Sequence, residues 1–264
     1  MKSRRFRIVC LAVGILLSVS AVGDERAKTF DVAGLKLGMT LDEVTAVLKS
    51  KDPEVEQTWS DTKVKLNHSG NAIQLPVYHF NSPRERYAAP GGGSKSGILK
   101  DTKIVFAPES LGGGAVHITR QRIYSQGKAP LMERLTKAVD QKYGPPEIDN
   151  SSGLLVARFY GYNAEGELYD KSTARNFTQC DGSLSLWAPA QHSSKAKCSF
   201  KARIDIHPAT SRYGQQLEEA GMMTVQITDW TLVHKAFNQA IAARQAELEA
   251  AQKNRLEQEV DLDI

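Results

Sequence analysis

This sequence is short of cysteine, of net charge and of long apolar runs, and each shortage excludes something. It has three cysteines in 264 residues, none in the tight C-x-x-C spacing that zinc sites favour. That argues against a metal set drawn from Cys180, His192, Cys198 and His207. After the N-terminus no apolar run approaches the ~18 residues of a spanning helix. The formal charge is +4, from 34 Lys+Arg against 30 Asp+Glu. Lys2, Arg4, Arg5 and Arg7 stand in residues 1–23 without a single acid. Beyond them acids and bases balance, so the basic pI is no evidence for nucleic acid or an anionic membrane. Also missing are H-E-x-x-H, G-x-S-x-G and Ser-x-x-Lys with Ser-Asp-Asn, the signatures of several hydrolase classes.

The charge at the N-terminus belongs to an export signal. Met1–Arg7 is a basic stretch, Ile8–Val19 is apolar, and Ala21-Val22-Gly23 offers small residues where a signal peptidase cuts. Cleavage near Gly23 and a periplasmic or secreted mature protein are expected. A lipoprotein is not, because Cys10 lies inside the apolar run. Cys180 and Cys198 then remain as an even pair in an oxidising compartment, and a disulfide between them is predicted. It would close a loop of 17 intervening residues, contributing about 3 kcal/mol on the chain-entropy estimate.

Along residues 24–264, Thr40 and Glu43 form a capping box that opens a helix, with Leu41, Val44, Val47 and Leu48 on one face. Asp52-Pro53 ends it. Short strands are expected at 55–59 and 63–66, and longer ones at 71–80, 102–107 and 115–124. Ala89–Gly97 reads as a hairpin connection. It lacks the Gly-Lys-Ser/Thr of a phosphate cradle, and a strand rather than a helix follows it. Pro130 opens a helix over 130–142, its inner face formed by Leu131, Leu135, Ala138 and Val139, with Gly144 past its end. Period-two patterns predict strands at 153–162, 183–188, 200–207 and 222–230. From Trp230 to Glu259 the chain has neither Gly nor Pro. It reads as a helix of roughly 40 Å, with Asp229 as N-cap. Val233, Phe237, Ala240, Ile241 and Leu248 would pack on the body. Residues 244–264 carry three bases and six acids, an acidic tail.

The expected fold class is α+β, an antiparallel sheet with packed helices, an approximate two-fold repeat and a long C-terminal helix. The repeat divides the chain into a unit over 24–114, a unit over 115–230, and the helix and tail over 231–264. Gly34-Leu35-Lys36-Leu37-Gly38-Met39-Thr40-Leu41-Asp42-Glu43-Val44 resembles the G-x-x-L-G-M-T-x-x-E-V entry of small exported bacterial proteins, including SmpA/OmlA-like envelope modules. Leu135 to Pro146, ending Lys142-Tyr143-Gly144-Pro145-Pro146, resembles a helix end in the same kind of protein. Together the two stretches cover about 25 residues. The resemblance implies helices against an antiparallel sheet and a place in envelope assembly.

Few residues propose chemistry. Arg203, Asp205 and His207 alternate with Ile204 and Ile206, which puts the three on one sheet face. Thr224, Gln226 and Thr228 repeat the pattern. There Asp205 could orient His207 as a general base, or all three could simply be a solvated face. Arg120 and Arg122 could meet an anionic group, or form salt bridges at a sheet rim. Phe159, Tyr160, Tyr162 and Trp187 read as packing rather than a sugar platform. No cofactor and no metal are expected. The reading is an exported, non-enzymatic binding or assembly module of the envelope, meeting a protein partner through its C-terminal helix. The alternatives are an envelope hydrolase using Asp205 and His207, or an inhibitor or ligand-binding protein using the 89–97 loop.

Overall fold

The computed structural model describes residues 30–65, 72–82, 85–88, 94–97, 100–124, 129–163, 167–168, 198–210 and 214–260. The expected signal segment, Cys180, Trp187, His192 and the strand expected at 183–188 lie outside them.

Among the described residues three α-helices and ten strands follow one another: α1 (Leu41–Lys51), β1 (Glu56–Lys65), β2 (Ala72–Asn81), β3 (Glu85–Ala88), β4 (Ser94–Gly97), β5 (Lys100–Phe106), β6 (Ala115–Ile123), α2 (Met132–Tyr143), β7 (Ile148–Asp149), β8 (Val156–Asn163), β9 (Cys198–Thr210), β10 (Gln216–Asp229) and α3 (Trp230–Val260). Eight strands form one sheet, ordered β1-β2-β5-β6-β10-β9-β8-β7. Every pairing in it is antiparallel. β3 and β4 make a separate hairpin, so residues 94–97 of the expected 89–97 loop are strand, and 89–93 lie outside the described residues.

This corrects the expected fold class in two respects. The chain is α+β, but it is not a pair of repeated units meeting before Ala115: a single sheet runs through both. Residues 115–123 close the ladder begun by β1, β2 and β5 and join it to β10, with Ile118 facing Ile104 on one side and Ile227 on the other. Nor is the C-terminal segment a long helix laid along the body. The chain is helical to Val260, yet the described side chains it buries are Trp230, Val233 and His234, at its base. Leu248 is 40% exposed and Leu256 55%; Phe237, Ala240 and Ile241 lie outside the described side chains. Among the described residues no helix is long and apolar enough to cross a membrane.

The core lies between one face of the sheet and the pair α1 and α2. Ile104, Ile118, Ile204, Ile206 and Ile227 supply the sheet side, and Val44, Leu48, Met132 and Val139 the helix side. Full burial of each large aliphatic contributes about 1.5–3 kcal/mol. Phe30 enters beside them and stacks on Tyr143, ring centroids 4.4 Å apart. The capping box of α1 is formed: Glu43 N–H donates to Thr40 Oγ1, and Thr40 N–H to Glu43 Oε2. Asp229 caps α3 by accepting from Leu232 N–H at 2.8 Å. Two local expectations shift. Leu131 is extended and bridges to Glu219, so α2 starts after it and turns Met132 inward, leaving Leu131 and Ala138 exposed. The two short strands at 55–59 and 63–66 are one, because pairing with β2 continues unbroken through Ser60, Asp61 and Thr62.

Candidate functional site

On the sheet face away from α1 and α2, strand register assembles polar rows from distant parts of the chain. One row runs Phe159, Arg203, Gln226, Thr119 and Lys103; the next runs Ala157, Asp205, Thr224, Gln121 and Asp101. Arg203 Nε lies 2.7 Å from Asp205 Oδ2, and the Arg203 guanidinium and the Lys201 ammonium both lie over the Phe159 ring, at 5.2 and 5.4 Å. The structure therefore joins Arg203 to Asp205. It does not join Asp205 to His207: among the described residues no hydrogen bond links them, and His207 is half-buried further along β9. The carboxylate that would have oriented an imidazole faces a guanidinium instead. Phe159, Tyr160 and Tyr162 are all buried, which makes them packing residues rather than an exposed platform.

A different histidine is built into this face. His117 is 3% exposed. Its Nδ1 lies 2.8 Å from Thr228 Oγ1 and its Nε2 2.7 Å from Thr119 Oγ1. Burial, with the Lys103 charge adding to it, holds the imidazole neutral, its pKa pushed down to about 3. Nothing in the sequence around His117 marks it, because Thr228 is 111 positions away. Next to this network the base of α3 closes over the sheet end, burying Trp230 and His234, whose rings are 6.4 Å apart. Burial also lowers the His234 pKa.

Arg120 and Arg122 stand on the opposite face, the one that the helices cover. Arg122 is exposed and lies over the Tyr124 ring at 5.0 Å. Arg120 points beneath the end of α1, where burial and then the Arg122 charge push its pKa down, while Tyr143 and Asp52 push it up. Beside it Asp31 accepts from Gly34 N–H at 2.6 Å and pairs with Lys142 at 2.9 Å. A concavity between α2 and the 153–156 turn is open to solvent; Asp140 on its lining pairs with Arg158, which also pairs with Asp149. No group of three or more His, Cys, Asp and Glu among the described residues could hold a metal ion. Cys198 is buried at the start of β9. Comparison with protein-family models, with curated proteins and with solved structures finds no match to this chain.

Proposed function

We propose that the chain is an exported, non-enzymatic binding or assembly module of the bacterial envelope that meets a protein partner through the outer part of α3. The N-terminal basic and apolar stretches with their small-x-small site support export. The resemblance of the 34–44 stretch to envelope modules supports the compartment. One observation carries the partner role: α3 is anchored by buried residues at its base and then exposes its described apolar side chains, Leu248 and Leu256 among them. With six acids against three bases over 244–264, that end fits a partner surface that is basic with an apolar groove.

Removing residues 249–264 tests this. The shortened protein should keep its melting temperature within about 1 °C, since the removed residues add nothing to the described core. Cross-linking in the intact envelope should then lose a partner that the full chain captures, and the purified partner should bind only the full chain. Unchanged capture and unchanged binding would sink the proposal.

A further inference from the structure

Between the end of α1 and the sheet lies a small enclosed cavity with room for about one water-sized body. Leu48 and Phe80 supply apolar wall. Its charged lining is Lys51 and Asp52 from the end of α1 and Arg120 from β6, with the hydroxyls of Ser82 and Thr102 beside them. Arg120 Nη1 is buried and has no hydrogen-bond partner. An unpaired donor of a charged group in the interior is costly, so native structures rarely keep one without a reason. The Asp52 carboxylate accepts a hydrogen bond from the Ser82 hydroxyl. Lys51 is exposed and donates its ammonium to the Ala33 carbonyl, so its charge acts on the cavity from the solvent side rather than as a direct ligand. Burial and then the Arg120 charge lower the Lys51 pKa, the mark of two cations held close together. Exposed Arg122 extends the same positive field to the surface.

We propose that this cavity binds one small monovalent anion of halide size, held by Arg120 Nη1 within the field of Lys51. Among the lining residues two cations face one carboxylate, an excess that favours a monovalent anion over a neutral or a cationic occupant. The room excludes phosphate and sulfate, which are several times larger than a water molecule; chloride, somewhat larger than water, enters as the exposed Lys51 side gives way. A water molecule would satisfy the Arg120 N–H but bring no counter-charge to its buried guanidinium nitrogen.

The full exported chain is unfolded by urea at fixed pH and ionic strength while chloride replaces gluconate, an anion too large for the cavity. The midpoint should rise with chloride and saturate, as expected for a ligand of the native state. Chloride-35 NMR should show line broadening that bromide competes away. In Arg120→Met, which keeps most of the side-chain stem, both effects should vanish. In Lys51→Met chloride affinity should fall about tenfold, roughly the loss of one nearby charge partly screened by solvent. Equal midpoints in chloride and gluconate, with no excess broadening, would mean that the cavity holds water only. Chloride dependence that persists in folded Arg120→Met would equally overturn the site. If Arg120→Met does not fold, the Lys51→Met affinity decides, and an unchanged value rejects the site.

Discussion

At the scale of single residues, His117 makes the sharpest prediction. Its folded pKa of about 3 lies below the ordinary 6.5. As pH falls, the unfolded chain takes up the proton first. Stability is therefore complete above pH 6.5 and is lost as pH falls from there toward 3, with a slope of at most about 1.4 kcal/mol per pH unit from this residue. His234, lowered by burial, acts in the same direction. The depressed carboxyls of Asp31 and Asp149 matter only at lower pH, since their unfolded value is 3.8. Urea midpoints between pH 7 and pH 5 isolate the imidazoles, and His117→Gln should remove much of that slope. An undiminished slope would show that His117 is not held neutral in the fold. Nothing local could have singled out His117: Thr119 is two positions away on its own strand, but Thr228 arrives only through the register between β6 and β10. The alternation of Arg203, Asp205 and His207 did reveal a shared face, but alternation carries no distances. The pair that forms is Arg203 with Asp205, where opposite charges meet at 2.7 Å.

At the scale of elements, the 34–44 stretch is a structural device. Gly38 has φ +83°, a left-handed conformation that glycine adopts without strain. Its N–H donates to the Ala115 carbonyl, and Ala115 N–H donates to the Met39 carbonyl, so the turn before α1 is tied to the start of β6. Gly114 sits against that turn; a Cβ there would come within 2.6 Å of the Gly38 carbonyl oxygen. Thr40→Ala should lower stability by about 1 kcal/mol through loss of the cap. Gly114→Ala should cost more than that, because backbone must move rather than one side chain. Both are read as shifts in the urea midpoint at unchanged slope; a Gly114→Ala midpoint equal to wild type would contradict the close approach. The cap was legible because it uses residues three apart. The approach of Gly114 to Gly38 was not, since it joins segments 76 positions apart. β1 was misread as two strands because Ser60-Asp61-Thr62 is polar like a turn; its ladder with β2 makes it continuous.

At the scale of the whole molecule, one sheet organises the described residues apart from the β3–β4 hairpin, and both of its faces are used. One carries the apolar core under α1 and α2; the other carries polar rows closed at one end by the base of α3. The disulfide between Cys180 and Cys198 remains a prediction about this whole. On the proposed export, the intact mass should match a chain beginning at Asp24 and fall 2 Da short of the reduced mass, as one disulfide requires. Two alkylatable thiols without reduction would refute it. By itself the sequence determined what depends on neighbours in the chain: the cap of α1, the N-cap Asp229, most strand positions and the balance of charge beyond residue 23. Propensity, periodicity and capping act over a few residues, so they can be read directly. Tertiary structure decided the rest. It merged two expected units into one sheet, placed Arg120 under a helix, enclosed His117 between two threonines and confined the described burial of α3 to its base. Each of these depends on which strands become neighbours and which face the helices cover, and a period-two pattern is silent on both.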